Sequence, residues 1–327
     1  MSRRLSFALS TALLATVVGT APAHADTTII NLVGLPGGHS HRAMSINDSG
    51  LAVGSSIVRD VTRAVKFDGG RVTELVGPDG ASVGLTAVNN HGAAVGTSTF
   101  PGVGGNAIRF DPDGKYSVLS TPFGYNYTRA AGIDDNGITY GVAARNDNSI
   151  PVSWRQNGAL TAMKLPAGFT GGSVASASPN GYAAGFVYGP GQDWVPVRWN
   201  PDHSVTVLPL PAGGVRSRAS AVNRNGDVVG TADLPGGGGP YGVRWNADGS
   251  MNMYGHMDEP TGVNDHGIAV GYGWADGQWR PFRWTREGEK LDLGLLSLAP
   301  SIEKLAINND GVIVGSVWGT AYKWIVS

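Results

Sequence analysis

The chain has 327 residues, of which 50 are glycine and none is cysteine, with 15% charged residues and a net charge of −1. Lacking cysteine, it has neither a disulfide scaffold nor a zinc ribbon, and its even charge argues against nucleic-acid binding by bulk electrostatics. The low charge excludes a coiled coil, the glycines lack the three-residue period of collagen, and 41% hydrophobic residues suffice for a core.

In chain order the first element is an address. Residues 1–25 run from Arg3-Arg4 through an apolar stretch (5–18) to Ala23-His24-Ala25, the layout of a secretory signal peptide cleaved before Asp26. The apolar run is shorter than the ~20 residues of a spanning helix. Arg3-Arg4 leaves general secretory and twin-arginine export both open. The expectation is an extracellular protein with no membrane segment after cleavage, and a single domain over residues 26–327.

Then comes Thr27-Thr28-Ile29-Ile30-Asn31-Leu32, a strand-like segment without a hairpin partner of its own. After it one motif recurs along the whole chain. It starts as Ile46-Asn47-Asp48-Ser49-Gly50-Leu51-Ala52-Val53-Gly54, and its first glycines fall at 50, 92, 137, 181, 226, 267 and 311. The spacings of 42, 45, 44, 45, 41 and 44 residues match the blade period of a β-propeller, and seven units use up the mature chain. Each unit reads as four strands. The first is short (43–46 in unit 1), then Asn-x-x-Gly turns the chain, because Asn bonds its local backbone and Gly takes positive φ. A second strand and a variable loop follow. The third strand ends in a basic–aromatic pair such as Arg109-Phe110 or Arg244-Trp245, or in Ser153-Trp154 in unit 3. Side chains alternate across a strand, so the seven aromatics are expected to stack between blades as core. The seventh unit stops after its third strand at Tyr322–Ser327. The expected fold is therefore all-β, a seven-bladed propeller of four-stranded antiparallel blades whose ring is closed by residues 27–32 pairing with 321–326. Removal of residues 26–33 is expected to cause aggregation or a large loss of stability.

The run Leu32-x-Gly34-Leu35-Pro36-Gly37-Gly38, then Arg42-Ala43-x-x-Ile46-Asn47-Asp48-x-Gly50-x-x-Val53-Gly54, resembles the bacterial extracellular HAF repeat family over the whole mature chain. That resemblance implies a secreted, propeller-like protein and no particular reaction. The eponymous His-Ala-Phe would fall at Arg63-Ala64-Val65, Asn106-Ala107-Ile108 and Arg280-Pro281-Phe282, none of which carries the histidine, so no role for it transfers.

What every blade shares is structural, so functional candidates are residues that break the repeat. Loops entering the first strand, and loops joining the second strand to the third, share one face, by fold analogy the ligand face. At the entry to the first strand stand Arg42, Gly84, Arg129, Ser173, Arg218, Glu259 and Glu303, with His41 and Asp258 one residue earlier. These make either a polar rim for a sugar, acid or ion, or interblade salt bridges such as Arg42–Glu303. Four tryptophans lie outside the third-strand endings. Trp194 and Trp279 share a place in Trp-x-Pro-x-Arg-Trp, which suggests packing; Trp274 and Trp318 are the better platform for a flat ligand, with Tyr241 nearby in unit 5. Asp258, Glu259 and Glu303 could form an acid–base pair for glycoside cleavage, although no local motif supports it. His39, His41 and His256 make a poor metal set, His91 and His266 are turn residues, and Asp111-Pro112-Asp113-Gly114 lacks the later ligands of a calcium loop. No cofactor or metal is expected.

The expectation for function is a monomeric binding module whose glycan or small-molecule ligand sits among Arg42, Arg129, Arg218, Glu259, Glu303, Trp274 and Trp318. The alternatives are an extracellular glycan hydrolase or lyase using rim carboxylates and arginines, and a structural envelope or matrix protein. A binder requires exposed aromatics beside the rim. An enzyme requires converging titratable groups, and a structural protein requires rim charges fully paired.

Overall fold

The computed structural model describes residues 27–294 and 303–326; the expected signal peptide lies outside them. Among the described residues every regular element is a strand, and the strands form seven four-stranded antiparallel sheets, the blades of a seven-bladed β-propeller. The first blade shows the plan: Gly38–Ile46, Ala52–Val58, Val61–Asp68 and Arg71–Leu75 pair in that order. Its inner strand is longer than the 43–46 core of the repeat, because pairing with the second strand runs back to Gly38 opposite Val58.

The last sheet contains strands from both ends of the described chain. Thr27–Leu32 pairs antiparallel with Thr320–Val326, Thr27 opposite Val326 and Leu32 opposite Ala321. This is the expected closure, and it leaves the ring without an open blade.

The core lies between blades. Val53, Ala64 and Leu75 of blade 1 pack with Leu85, Ile108 and Phe110 of blade 2, and Val314 and Ala321 of blade 7 pack on Ala43, Val65 and Phe67 of blade 1. All seven third-strand aromatics (Phe67, Phe110, Trp154, Trp199, Trp245, Trp284, Trp324) are buried. Three of their basic neighbours act as interblade clamps. The guanidinium of Arg109 donates to the Gly137 carbonyl, that of Arg198 to Gly226 and that of Arg244 to Gly267, each the turn glycine of the next blade (2.6–2.9 Å).

Each motif residue has a separate task. The Asn47 side-chain oxygen accepts from the Leu51 amide (3.0 Å), closing the turn in which Gly50 sits at φ 85°. Its amide group donates sideways to the Asn89 carbonyl (2.9 Å). The same sideways bond runs from Asn89 to Asp134, Asn223 to Asn264, Asn264 to Asn308 and Asn308 to Asn47, so buried asparagines stitch the ring from turn to turn. Asp134 has no amide to pass on. It accepts from the Tyr140 hydroxyl instead, and burial raises its carboxyl above the usual range. The second motif glycine works by close approach. A methyl group on Gly141 would overlap the Arg129 carbonyl oxygen, and one on Gly54 the Arg42 carbonyl. That approach accompanies a bulge just after the rim residue, between Ala43 and Ser45 or Ala130 and Gly132. The repeated glycine thereby permits the backbone geometry from which the rim side chains project.

Candidate functional site

The two ends of the central channel are built differently. At the turn end a second ring faces the channel beside the asparagine ladder, formed by the residue after each motif Asn or Asp. Asn90 donates to Asp48 and Asp135 (3.1 and 3.2 Å), and Asn309 donates to Asp48 and Asp265 (3.2 and 2.7 Å). Arg224 sits in the same place in blade 5. Its guanidinium lies 3.0 Å from Asp135, 3.5 Å from Asp265 and 3.8 Å from Asp48. These carboxylates belong to blades 3, 6 and 1, so one cation bridges the ring across its centre. Sequence reasoning passed over Arg224 because it sits inside the repeated turn. The available signal was that it is the only basic residue there, where the other units carry Asp48, Asn90, Asp135, Pro179, Asp265 and Asn309.

At the opposite end lie the rim residues. Arg42 pairs with Glu303 at 3.0 Å, joining blades 1 and 7 as the interblade reading expected. Arg218 pairs more loosely with Glu259 (3.7 Å), which also accepts from the Tyr272 hydroxyl (3.1 Å). Burial and the adjacent Glu259 push that phenol up to about 12. Asp258 is buried. It is held by the Lys290 ammonium and the Gly255 amide, while Lys290 lies 3.9 Å from the centre of the Phe282 ring. His41 is tied to the Ser56 hydroxyl (2.9 Å), and burial lowers its pKa. Each carboxylate of the expected acid–base set, Asp258, Glu259 and Glu303, thus has a cation of its own.

Arg129 has no carboxylate partner among the described residues. It shares a cavity of about 270 Å³ at the channel mouth with Ser173, Phe186, Arg218, Ser220, Tyr272 and Lys304. Lys304 was not among the expected site residues, and an irregularity of blade 7 explains why. In the other blades the corresponding position carries Ala43, Leu85, Ala130, Val174, Ala219 or the buried Pro260, all facing the core. In blade 7 the inner strand shortens to Ala306–Ile307, and Leu305 is fully buried, bonded through its backbone to Thr261. Gly315 correspondingly meets Leu305 and the Lys304 carbonyl, where the other blades present the rim residue. With Leu305 filling the core, Lys304 lines the channel instead, both at the mouth and deeper down. Desolvation, and then the charge of Arg129, lower its pKa to about 8.

The aromatic sector is also rearranged relative to expectation. Trp194 is 38% exposed, so the packing role suggested by its place in the repeat describes only part of its surface. It stacks on Phe186 (4.9 Å between centroids), with the guanidinium groups of Arg216 and Arg218 over it at 5.6 and 6.0 Å. Trp194, Arg216, Arg218, Asp233 and Glu259 line a second cavity of about 220 Å³, which adjoins the mouth cavity through Arg218. Trp279 does pack, edge-on between Tyr272 and Trp274. Trp274 and Trp318 are exposed on the hairpins joining the second and third strands of blades 6 and 7, and neither lines the two cavities at the mouth. Trp318 holds φ 54° before Gly319 at φ 69°, a left-handed pair that makes a tight hairpin and turns the indole outward.

No model of a known protein family matches the chain, and no curated protein matches it. Solved structures do. A catalytically inactive virginiamycin B lyase from Staphylococcus aureus, solved with quinupristin, is 12% identical with a TM-score of 0.64, over 92% of this chain and 100% of that one. A streptogramin B lyase structure gives 13% and 0.62, over 92% and 98%. An oligogalacturonate lyase from Vibrio parahaemolyticus gives 10% and 0.64, over 93% and 99%. The likeness is one of fold.

Proposed function

We propose that the protein is a secreted binding module of the HAF-repeat kind that takes a saccharide at the mouth of its propeller channel. The observation that carries this reading is the pair of adjoining cavities on one face, with an exposed tryptophan in one and, in the other, two cations, Arg129 and Lys304, that have no counter-ion among the described residues. Tryptophan faces stack on sugar rings at small entropic cost, and charged or hydroxyl-bearing neighbours fix the ring's orientation. The unpaired Arg129 and Lys304 count against a purely structural role, in which the rim charges would all be matched. The engagement of Asp258, Glu259 and Glu303 with separate cations counts against glycoside cleavage by a carboxylate pair, which needs one acid and one base free to face the same bond. One of the fold neighbours, the lyase solved with quinupristin, holds its ligand on the same architecture.

The test is a glycan-array and cell-wall pull-down with the wild type, Trp194→Ala, and the double variant Trp274→Ala/Trp318→Ala. Loss of capture in Trp194→Ala, with retention in the double variant, is the expected result. Equal capture by all three proteins removes the aromatic platform from the reading.

A further inference from the structure

We infer that the channel mouth is a subsite for an acidic sugar, with Arg129 and Lys304 gripping the carboxylate of a uronate unit while the Phe186–Trp194 side flanks its ring. This deepens the binding reading above and rests on it.

The first argument is charge. Four cations (Arg42, Arg129, Arg218, Lys304) stand at the mouth against two carboxylates (Glu259, Glu303), an excess of two positive charges. The excess is concentrated on Arg129 and Lys304, which approach from blades 3 and 7 on opposite sides of the channel. Both are partly buried, and their charges repel. A folded protein gains nothing in stability from two partly desolvated like charges facing one cavity. A ligand anion between them reverses both penalties, which makes the arrangement a site prepared for a partner.

The second argument is shape. The guanidinium of Arg129 presents a planar fork that matches a carboxylate, and Lys304 adds a point charge from the other side. Ser173 and Ser220, on blades 4 and 5, line the same cavity, and hydroxyls of this kind can donate to or accept from the ring hydroxyls of a saccharide. Phe186 lines the mouth cavity and stacks on Trp194, which lines its neighbour, so a chain of sugars has an aromatic surface leading away from the charged subsite. A small inorganic anion would use the cations and leave the serines and aromatics idle.

The third argument is the origin of Lys304. It reaches the channel only because Leu305 takes the core position in blade 7, the one blade whose inner strand departs from the bulged pattern of the others. Where six blades place an apolar or proline residue in the core, the seventh places a cation in the channel.

The experiment is isothermal titration of the full mature chain with trigalacturonate, its methyl ester and inorganic sulfate. The ester keeps the rings and removes the charge. The acid is expected to bind about tenfold or more tightly than the ester, the equivalent of one charge-assisted pair. Lys304→Met and Arg129→Gln are each expected to abolish that preference, whereas Lys304→Arg retains it. The last variant keeps the test decisive if either neutral variant fails to fold. Equal binding of acid and ester overturns the acidic subsite while leaving a saccharide-binding module. Competition by sulfate as strong, mole for mole, as by the acid overturns the sugar and leaves a bare anion site. Binding of none of the saccharides overturns the parent reading.

Discussion

The two ends of the channel treat their charged groups in opposite ways. At the turn end Asp48, Asp135 and Asp265 would repel one another, but Asn90 and Asn309 donate between them and Arg224 spans the ring to reach all three. Polar groups there are matched to each other. At the mouth Arg42 and Arg218 have carboxylates, and Arg129 and Lys304 have none among the described residues. An internally matched end holds the ring together; an end with surplus charge is available to something outside it. The difference separates structure from function within one repeat.

The largest way to break this comparison is to open the ring itself. Removing residues 26–33 deletes all six register pairs with Thr320–Val326 and uncovers the core of blades 7 and 1 that Ile29 and Leu32 cover. The expected outcome is aggregation or a fall in Tm of more than about 10 °C in thermal unfolding followed by circular dichroism. A truncated protein that melts with the parent would mean that the interblade core alone closes the ring.

Next in size is the asparagine ladder. Asn308→Ala removes a buried amide that donates to the Asn47 carbonyl and a side-chain oxygen that accepts from the Val312 amide. Leaving buried backbone groups without partners is expected to cost about 2–3 kcal/mol in denaturant unfolding, with saccharide binding at the mouth unchanged. A loss below ~0.5 kcal/mol would show that neither the sideways bond nor the turn bond of the motif asparagine holds the ring together.

Arg224→Ala is a smaller perturbation, because the guanidinium and its carboxylates are partly exposed. Removing the bridging cation is expected to destabilise by about 1 kcal/mol, and the loss should shrink in high salt as the carboxylates are screened. Equal losses at low and high salt would show that Arg224 contributes by packing.

The finest test is the titration of Lys304. Its native pKa of about 8 lies below the ordinary lysine value, so between the two the unfolded chain binds more protons than the folded one. Stability therefore rises as pH goes from about 8 toward the ordinary lysine range, and Lys304→Met is expected to remove that rise. Binding of an acidic sugar runs the other way, weakening above about pH 8 as the ammonium loses its proton. A stability profile identical in the wild type and the variant would place Lys304 in ordinary solvent.

Much of the fold was legible along the chain because a propeller writes its geometry as a period. The seven turn glycines, the buried third-strand aromatics and the missing fourth strand of unit 7 give the blade count and the closing partner, and Arg42 beside Glu303 follows from closing the ring. The candidate site was legible only in part. Arg129 and Arg218 stand out because they depart from the repeat on the expected face. Trp194 did not stand out, because the place it shares with Trp279 suggests packing, yet only Trp279 is enclosed by rings on both sides. Arg224 was hidden inside the motif, where a change of residue looks like ordinary turn variation.

The sequence by itself determined the number of blades, the turn chemistry and the closure, since these depend on local backbone geometry and on apolar spacing repeated seven times. The tertiary structure decided which charges are matched. A salt bridge or an orphaned cation depends on what the neighbouring blade presents within a few ångströms, and the lengths between motifs do not encode that. It also decided the direction of Lys304, where one leucine competing for a core position turned a lysine into the channel.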